Sequence, residues 1–495
     1  YKGYEEVLVP AAPRAPPPEE GELVRIADLE EWAQLAFPGY KSLNRIQSRI
    51  FKTAFHSNEN ILVCAPTGAG KTNIAMIAVL REIGSNMRYG VIQRADFKIV
   101  YVAPMKALAA EVTANFSKRL EPLGLVVREL TGDMQLSKRE LAETQMIVTT
   151  PEKWDVITRK GGDVSVSSLV KLLIVDEVHL LNDDRGPVIE ALIARTLRQV
   201  EASQSMIRIV GLSATLPNYE DVAAFLRVSP NSGLFHFDAS YRPVPLEMQF
   251  VGVSEKNFLA RQNVMNEVCY NKLSESLKAG YQVMVFVHSR KDTGKTARVL
   301  ADLAAKAGEA ALLDTREHEK YGLFAKDVRR SRNREMAELF ELGFGIHHAG
   351  MLRPDRSLVE RLFAEGLLRV LVCTATLAWG VNLPAHTVII KGTQVYDAQK
   401  GGFADVGMLD VQQIFGRAGR PQYEDSGLGI ILTTHDKLAH YLGMLTHQSA
   451  IESQFAKCLV DNLNAEIVLG TVTNVREGVA WLGYSYMARR LERNP

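Results

Sequence analysis

The sequence predicts an α/β protein of two tandem doubly wound parallel-sheet domains, followed by the start of a third, helical domain. Three observations carry this. Short, wholly apolar runs of buried-strand type recur along the chain, each delivering polar residues at its C-terminal end, where doubly wound sheets hold ligands. One of them, Ile61-Leu62-Val63-Cys64, leads through Ala65-Pro66-Thr67-Gly68-Ala69-Gly70-Lys71-Thr72 into an apolar helical pattern, Ile74 to Leu80, and that is the order of strand, phosphate loop and helix. The series then breaks at Phe235 to Leu246, where Pro243 and Pro245 favour an extended linker, and begins again without a second phosphate loop.

Composition sets the bounds. At 495 residues the chain is too long for one core, so about two to four domains are expected. With 46% hydrophobic and 23% charged residues it has the make-up of an ordinary globular protein. A formal net charge of +1 gives no global basic field, so a nucleic-acid partner must be held by local contacts. Cys64, Cys269, Cys373 and Cys458 lie far apart with no C-x-x-C pair, which disfavours zinc and suits a reducing compartment. No apolar run has the length of a membrane span, and no membrane partner is expected. The chain opens on Tyr1 and not Met, so it is expected to belong to something longer.

In chain order, Pro10 to Pro18 is Pro-rich and predicts an extended strap, or a ligand for a Pro-binding domain. The strap and a short helix near Asp28 to Leu35 make up residues 1–40. Gln47 has an amide able to read an adenine edge, with Phe37 or Tyr40 to stack on the base. In the phosphate loop, glycines let backbone N–H groups close on an anion at the helix N-terminus; Lys71 reaches the β- and γ-phosphates and the Thr72 hydroxyl holds Mg²⁺. Ala65 stands where a glycine is usual. Later strands of this domain, residues 41–240, end in Ala103-Pro104-Met105-Lys106, Thr149-Thr150-Pro151, Asp176-Glu177-Val178-His179 and Ser213-Ala214-Thr215. Asp176 fits a Mg²⁺ ligand through the metal's water and Glu177 the base that orients the attacking water; adjacent carboxylates that merely cap a helix are the alternative.

The second domain, residues 241–434, has strands at 283–287, 370–373, 388–390 and 429–432. Gly294-Lys295-Thr296 lacks the glycine turn and reads as helix. The strand ends carry His288-Ser289-Arg290, His347-His348, Thr374 to Asn382 and Gln413-Ile414-Phe415-Gly416-Arg417-Ala418-Gly419-Arg420. Arg417 and Arg420, three apart, are expected on one turn of helix facing one side, as arginine fingers for a γ-phosphate or as surface salt bridges. The paired histidines lack a third ligand at metal spacing. From about residue 435 the chain turns helical.

These stretches, in this order, resemble the superfamily 2 helicases of the Ski2-like group with a D-E-V-H box, from about Leu43 to the C-terminus. Residues 103–111, 131–138 and 204–209 resemble the branch with tandem cassettes, and its first cassette in particular. The resemblance implies RecA-like domains, an ATP site at Gln47, Ala65 to Thr72, Gly380, Asn382 and Gln413, and catalysis by Lys71, Asp176, Glu177, Arg417 and Arg420 with ATP and Mg²⁺. It implies that Pro104, Lys106, Thr150, His288, Arg290, His348 and Thr374 face a strand backbone. It implies further that His179, Ser213 and Thr215 couple the two activities, and that residues 391–408, with a Gly401-Gly402 turn, form a strand-separating hairpin. ATP closing the two domains would ratchet a single or partly duplex RNA or DNA strand three-prime to five-prime. Implied partners are subunits of a cointegrator or ribosome quality control trigger complex and the ribosome, in cytoplasm and nucleus, and residues 435–495 would start a winged-helix domain. The resemblance implies work in ribosome quality control, splitting stalled or collided ribosomes, and/or in DNA alkylation repair, with a spliceosomal relative acting on small nuclear RNA as the alternative within the branch. Two functions of different class follow: an active translocase, or a scaffold cassette that binds nucleotide while another works. Intact Lys71, Glu177, Arg417 and Arg420 favour the first.

Overall fold

Runs of Val, Ile and Leu with no polar face have one stable place, the middle of a sheet covered on both sides. The computed structural model describes residues 3–159, 164–447 and 449–495, and puts these runs in two compact units. One unit comprises Ala15–Tyr241 with His447–Pro495, and the other comprises the residues up to Arg14 with Arg242–Thr446.

The first unit is built on a seven-stranded parallel sheet in the spatial order Leu234–His236, Ile61–Cys64, Arg208–Ser213, Val170–Val175, Lys98–Val102, Met146–Thr149, Val127–Leu130. This order sets the phosphate loop, Ser213 to Thr215, Asp176 to His179 and Pro104 to Lys106 along one edge of the sheet, because each follows the C-terminal end of a neighbouring strand. The Lys71–Ser85 helix is apolar nearly all round and is buried against the sheet from Asn73 to Leu80.

Helices Leu459–Val468, Val475–Leu482 and Tyr486–Arg493 dock on this unit. A small core of Phe455, Val472 and Trp481 packs on Ala191 of the Gly186–Ser203 helix. Around it the contacts are polar: Arg195 pairs with Asp155 at 3.0 Å and with Glu466 at 3.2 Å, and Arg490 pairs with Asp221 at 2.6 Å. Glu190, fully buried, accepts from the Met487 backbone N–H at 2.6 Å and the Ser453 hydroxyl at 2.8 Å. Burial outweighs those donors and pushes the Glu190 carboxyl up to about 7 from an ordinary 4.5. The native state therefore binds this proton more tightly than the unfolded chain. The resulting stability is full below pH 4.5 and is lost as pH rises through 7, amounting to about 3 kcal/mol at most. Glu190→Gln keeps an acceptor for Met487 and should flatten the stability curve between those pH values, as read by denaturant unfolding at a series of pH values.

The second unit has a seven-stranded sheet in the order Tyr4–Val9, Leu246–Val253, Gly427–Thr434, Thr387–Lys391, Val283–Phe286, Val370–Cys373, Phe344–His347. All neighbours pair in parallel except the first two. Tyr4–Val9, expected to belong to a strap, is an antiparallel edge strand here, fixed by Lys272 on Glu6 and by His435 on Glu5 at 2.7 Å. The expected linker at 235–246 is shorter than that range. Phe235 and His236 lie in the first sheet, paired with Val63 and Cys64, and Leu246 already opens a strand. The Leu438–Leu445 helix buries Leu438, Tyr441 and Leu445 in the core of this second unit, apart from the helices that follow it in sequence. Gln394–Asp397 and Gly402–Asp405 form an antiparallel hairpin whose turn needs Gly401 at φ 64°. Gly294-Lys295-Thr296 is inside the Arg290–Lys306 helix.

Candidate nucleotide site and strand-facing residues

The phosphate loop is clasped from below by the N-terminus of the Arg45–His56 helix. Asn44 and Gln47 form a reciprocal capping box, with Gln47 N–H donating to Asn44 Oδ1 at 2.8 Å and Asn44 N–H to Gln47 Oε1 at 3.0 Å. Their amide nitrogens then donate to loop carbonyls, Asn44 to Ala69 and Gln47 to Gly70, both at 2.9 Å. A Cβ at Gly70 would stand 2.3 Å from Gln47 Nε2, and φ is +83°, so only glycine serves. Ala65 has no positive φ and donates its N–H to the Ser213 carbonyl at 3.0 Å, which is why glycine is dispensable there. Gln47 was expected to read adenine; instead its amide is buried and committed to the cap and the loop. Phe37, expected to stack on the base, is buried under the Arg119 guanidinium, 5.1 Å from the ring centre, while Tyr40 remains exposed.

Lys71 folds back and donates to the carbonyls of Ala65 at 3.2 Å and Ser213 at 3.1 Å. Thr67, Gly68 and Thr72 are exposed, whereas Pro66 and Ala69 are buried. Asp176 lies at the end of its strand, with Oδ2 accepting from the Tyr101 hydroxyl at 2.6 Å and Oδ1 from the Glu177 N–H at 2.9 Å. Burial and the neighbouring Glu177 charge push Asp176 up to about 6, and burial also raises Glu177. Glu177 adopts the left-handed conformation, φ 55°, which a non-glycine residue holds only at some cost and which turns its carboxylate toward His179. His179 Nε2 is 3.1 Å from the Glu177 carboxylate, and its Nδ1 accepts the Ala214 N–H at 3.2 Å. Because a backbone N–H can only donate, Nδ1 is the acceptor and Nε2 carries the proton shared with Glu177. One buried imidazole thus joins the acidic box to Ser213-Ala214-Thr215, itself a buried loop. His179→Ala strands the Ala214 N–H, which should cost about 1–3 kcal/mol in denaturant unfolding and should release Glu177, lowering ATP turnover. His447 is half-buried near Lys71 and His179, and desolvation pushes it down to about 4.

In the second unit Arg417 and Arg420 do not share a helical turn, contrary to the expectation. The helix Met408–Phe415 ends before them, and Gly419 at φ +87° turns the chain between them. Arg417 Nε donates to the Ala378 carbonyl and Nη1 to Asn382 Oδ1, both at 3.1 Å, so it grips the segment holding the exposed Gly380. Arg420 is held separately by Glu424: Nε at 3.0 Å and Nη2 at 2.9 Å from Oε1, and its backbone N at 2.9 Å from Oε2. Gln413 is half-buried on the preceding helix.

The strand-facing candidates group at strand ends. In the first unit Pro104 is buried, Lys106 is exposed as the first residue of the Lys106–Leu120 helix, and Thr150 is buried just before the Pro151–Arg159 helix. These follow neighbouring strands, bridged by Ala103 N–H to Thr149 O at 2.8 Å. In the second unit Thr374 N–H donates to His347 O at 3.2 Å, which brings the half-buried Thr374 beside His348. A Cβ on Gly350 would meet Arg290 Cδ and His348 Nδ1, both at 3.1 Å, so Arg290 and His348 flank one spot. Burial lowers His348, helped by the Arg290 charge, and burial lowers His288, whose Nε2 contacts the Gly392 carbonyl. Both imidazoles are therefore neutral at pH 7, leaving Arg290 as the cation of the group. His347 bonds Glu360 at 2.7 Å, and among the described residues no cluster suits a metal ion held by His, Cys, Asp and Glu alone. No helix among them is long and apolar enough to cross a membrane.

Asn44, Tyr101 and Glu424 were not singled out from the sequence. For Asn44 the signal was there, an Asn-x-x-Gln capping box just ahead of a helix. Tyr101 and Glu424 act through contacts that no local pattern announces.

Two sequence patterns span most of the chain. Residues 44–222 match the DEAD/DEAH box helicase family, and residues 264–422 match the helicase conserved C-terminal domain. Residues 452–495 match a winged helix-turn-helix domain. The chain belongs to the Ski2-like helicases. Its two sheets are RecA-like domains, and the docked helices after residue 452 are part of the winged-helix domain. It is 67% identical over its whole length to the DExH-box ATP-dependent RNA helicase DExH14 of Arabidopsis thaliana. It is 61% identical, again over its whole length, to activating signal cointegrator 1 complex subunit 3 of Homo sapiens, and 56% identical over 99% of its length to the Dictyostelium discoideum protein of that name. It spans 22–23% of the length of these relatives.

Proposed function

We propose that this helicase chain is an ATP-driven motor cassette that moves three-prime to five-prime along a single strand, RNA in the first place. The Arabidopsis relative is named an RNA helicase, which favours RNA over DNA. The observation that carries the reading is the His179 imidazole, which ties Glu177 to Ala214 beside the phosphate loop. A buried, hydrogen-bonded link of this kind holds the hydrolytic base in register with a second loop, which coupling of hydrolysis to movement requires.

The loop fits a nucleotide triphosphate: a glycine cradle with no room for a Cβ, at the N-terminus of a long helix, with a lysine that needs only to leave two carbonyls. Thr72 and Asp176 offer hard oxygen donors and would hold Mg²⁺, Asp176 through the metal's water. The chemistry supplied by Mg²⁺ held there would be neutralisation of charge on the phosphates. Glu177 takes the proton of the attacking water, and His179 holds that carboxylate in line. Arg420, aimed by Glu424, and Arg417, once it leaves Ala378, supply positive charge to the γ-phosphate as it transfers. Pro104, Lys106, Thr150, His288, Arg290, His348 and Thr374 hold the strand by its backbone, which serves any sequence. The hairpin with Tyr396 and Phe403 exposed on it parts the duplex. Partners in this reading are the other subunits of a cointegrator or ribosome quality control trigger complex, in cytoplasm and nucleus. Stalled or collided ribosomes, or alkylated DNA, are the wider context.

Strand displacement on RNA duplexes with either a three-prime or a five-prime tail tests this. Displacement of the three-prime-tailed duplex alone, and only with ATP, is expected. Equal displacement of both, or none while ATP is consumed, would count against it.

A further inference from the structure

The chain leaves the first unit at Tyr241 and enters the second at Arg242. Arg242 Nη1 donates to the Val244 carbonyl at 2.7 Å, and Nη2 donates to the carbonyls of Phe415 at 3.0 Å and Ala418 at 3.3 Å. Phe415 ends the Met408–Phe415 helix, and Ala418 lies between Arg417 and the Gly419 turn, so the guanidinium sits on the negative end of that helix and on the turn after it. Val244 packs against the same turn: a Cβ on Gly419 would stand 2.5 Å from Val244 Cγ1. Ala385 completes the frame, donating its N–H to the Arg417 carbonyl at 3.0 Å and accepting the Gly419 N–H at 2.7 Å. Among the described residues no carboxylate pairs with Arg242, and burial pulls its guanidinium down to about 10 from 12.5. A cation desolvated without a counter-charge destabilises the fold, so packing alone does not explain an arginine here. Tyr241, one peptide bond away, is fixed within the first unit by the Arg45–His56 helix. Arg49 Nη1 donates to its hydroxyl at 2.8 Å, and the Arg45 and Arg49 guanidinium groups lie 5.9 and 5.6 Å from its ring centre. The N-terminus of that same helix clasps the phosphate loop through Asn44 and Gln47.

We propose that Arg242 is a positioning residue for hydrolysis, which fixes the turn carrying Arg417 and Arg420 and links it, through Tyr241, to the helix that clasps the phosphate loop. The two arginines lie on either side of Gly419, so a shift of the turn moves both. Loss of the guanidinium frees the Phe415 and Ala418 carbonyls and lets the turn drift, and a displacement of about 1 Å at a reacting group costs about 10²-fold in rate. Nucleotide binding at the loop of the first unit depends on neither carbonyl. This rests on the reading of Arg417 and Arg420 as the groups that meet the γ-phosphate.

The test follows steady-state ATP turnover by the 495-residue chain with single-stranded RNA in the variants Arg242→Gln, Arg242→Lys and Arg420→Ala. Arg242→Gln loses the cation and its fork, and should lower kcat about 10²-fold with KM for ATP within about twofold of that of the unmodified protein. Arg242→Lys keeps the charge but reaches fewer of the three carbonyls, and should lower kcat about tenfold with KM likewise unchanged. It carries the test if Arg242→Gln fails to fold. Combined with Arg420→Ala, Arg242→Lys should cost less than the product of the two single falls, because both changes act on Arg420. A residue that merely stabilises the fold would give falls that multiply. Multiplied falls, a loss carried by KM, or full turnover in Arg242→Lys would overturn the proposal alone. Full turnover in Arg420→Ala would overturn the reading of the arginines and the proposal together.

Discussion

Glu177→Gln should bind ATP about as well as the unmodified protein and turn it over roughly 10²–10⁴-fold more slowly. The substitution keeps the shape of a side chain that is nearly buried, so the strained turn at φ 55° and the short helix after it persist. It removes the group able to accept a proton from water. The amide can still face His179 Nε2 through its oxygen, so Ala214 and the Ser213-Ala214-Thr215 loop keep their link. Binding is spared because the phosphates are met by the 65–72 loop and by Lys71, whose hydrogen bonds go to the Ala65 and Ser213 carbonyls. Binding of a fluorescent ATP analogue and steady-state phosphate release, taken side by side, separate the two effects. Loss of binding in step with turnover would mean that Glu177 has a structural role instead.

Arg420→Ala should lower turnover about 10³-fold or more, with little change in folding. Its guanidinium is partly exposed and its principal partner is a carboxylate four residues away, so stability depends on it weakly. The orientation matters more than the charge. Glu424 engages the backbone N–H and two guanidinium nitrogens, and the group lies over the Tyr423 ring at 5.3 Å from its centre. Arg420→Lys retains a cation but loses that two-nitrogen grip, and should recover only a small part of the rate. Turnover by Arg420→Lys close to that of the unmodified protein would show that charge alone is needed.

The parts of the fold that were legible in sequence are those whose cause is local. A phosphate loop needs its glycines and lysine within eight residues, and the hairpin needs its glycine turn, so both could be read off directly. Buried strands announce themselves by having no polar face. The edge strand Tyr4–Val9 did not, because it carries Glu5 and Glu6 and its partner is Leu246–Val253, far along the chain. The arginine pair was misplaced by extending a helix through Gly416 and Gly419, residues that in retrospect mark its end. Gln47 was read for its chemistry alone, and its place at a helix N-terminus, with Asn44 three residues before it, decides where its amide goes. The Tyr101 to Asp176 bond joins two strands that only the sheet order brings together, so nothing along the chain foretells it.

Whether hydrolysis here is linked to a strand is decided by steady-state ATP turnover with and without single-stranded RNA. RNA should raise turnover severalfold in the unmodified protein, DNA should do so less, and neither should have any effect in Glu177→Gln. ATP bound at the loop with no turnover under either strand would contradict the roles given to Glu177, His179 and Arg420, and would make this cassette a scaffold.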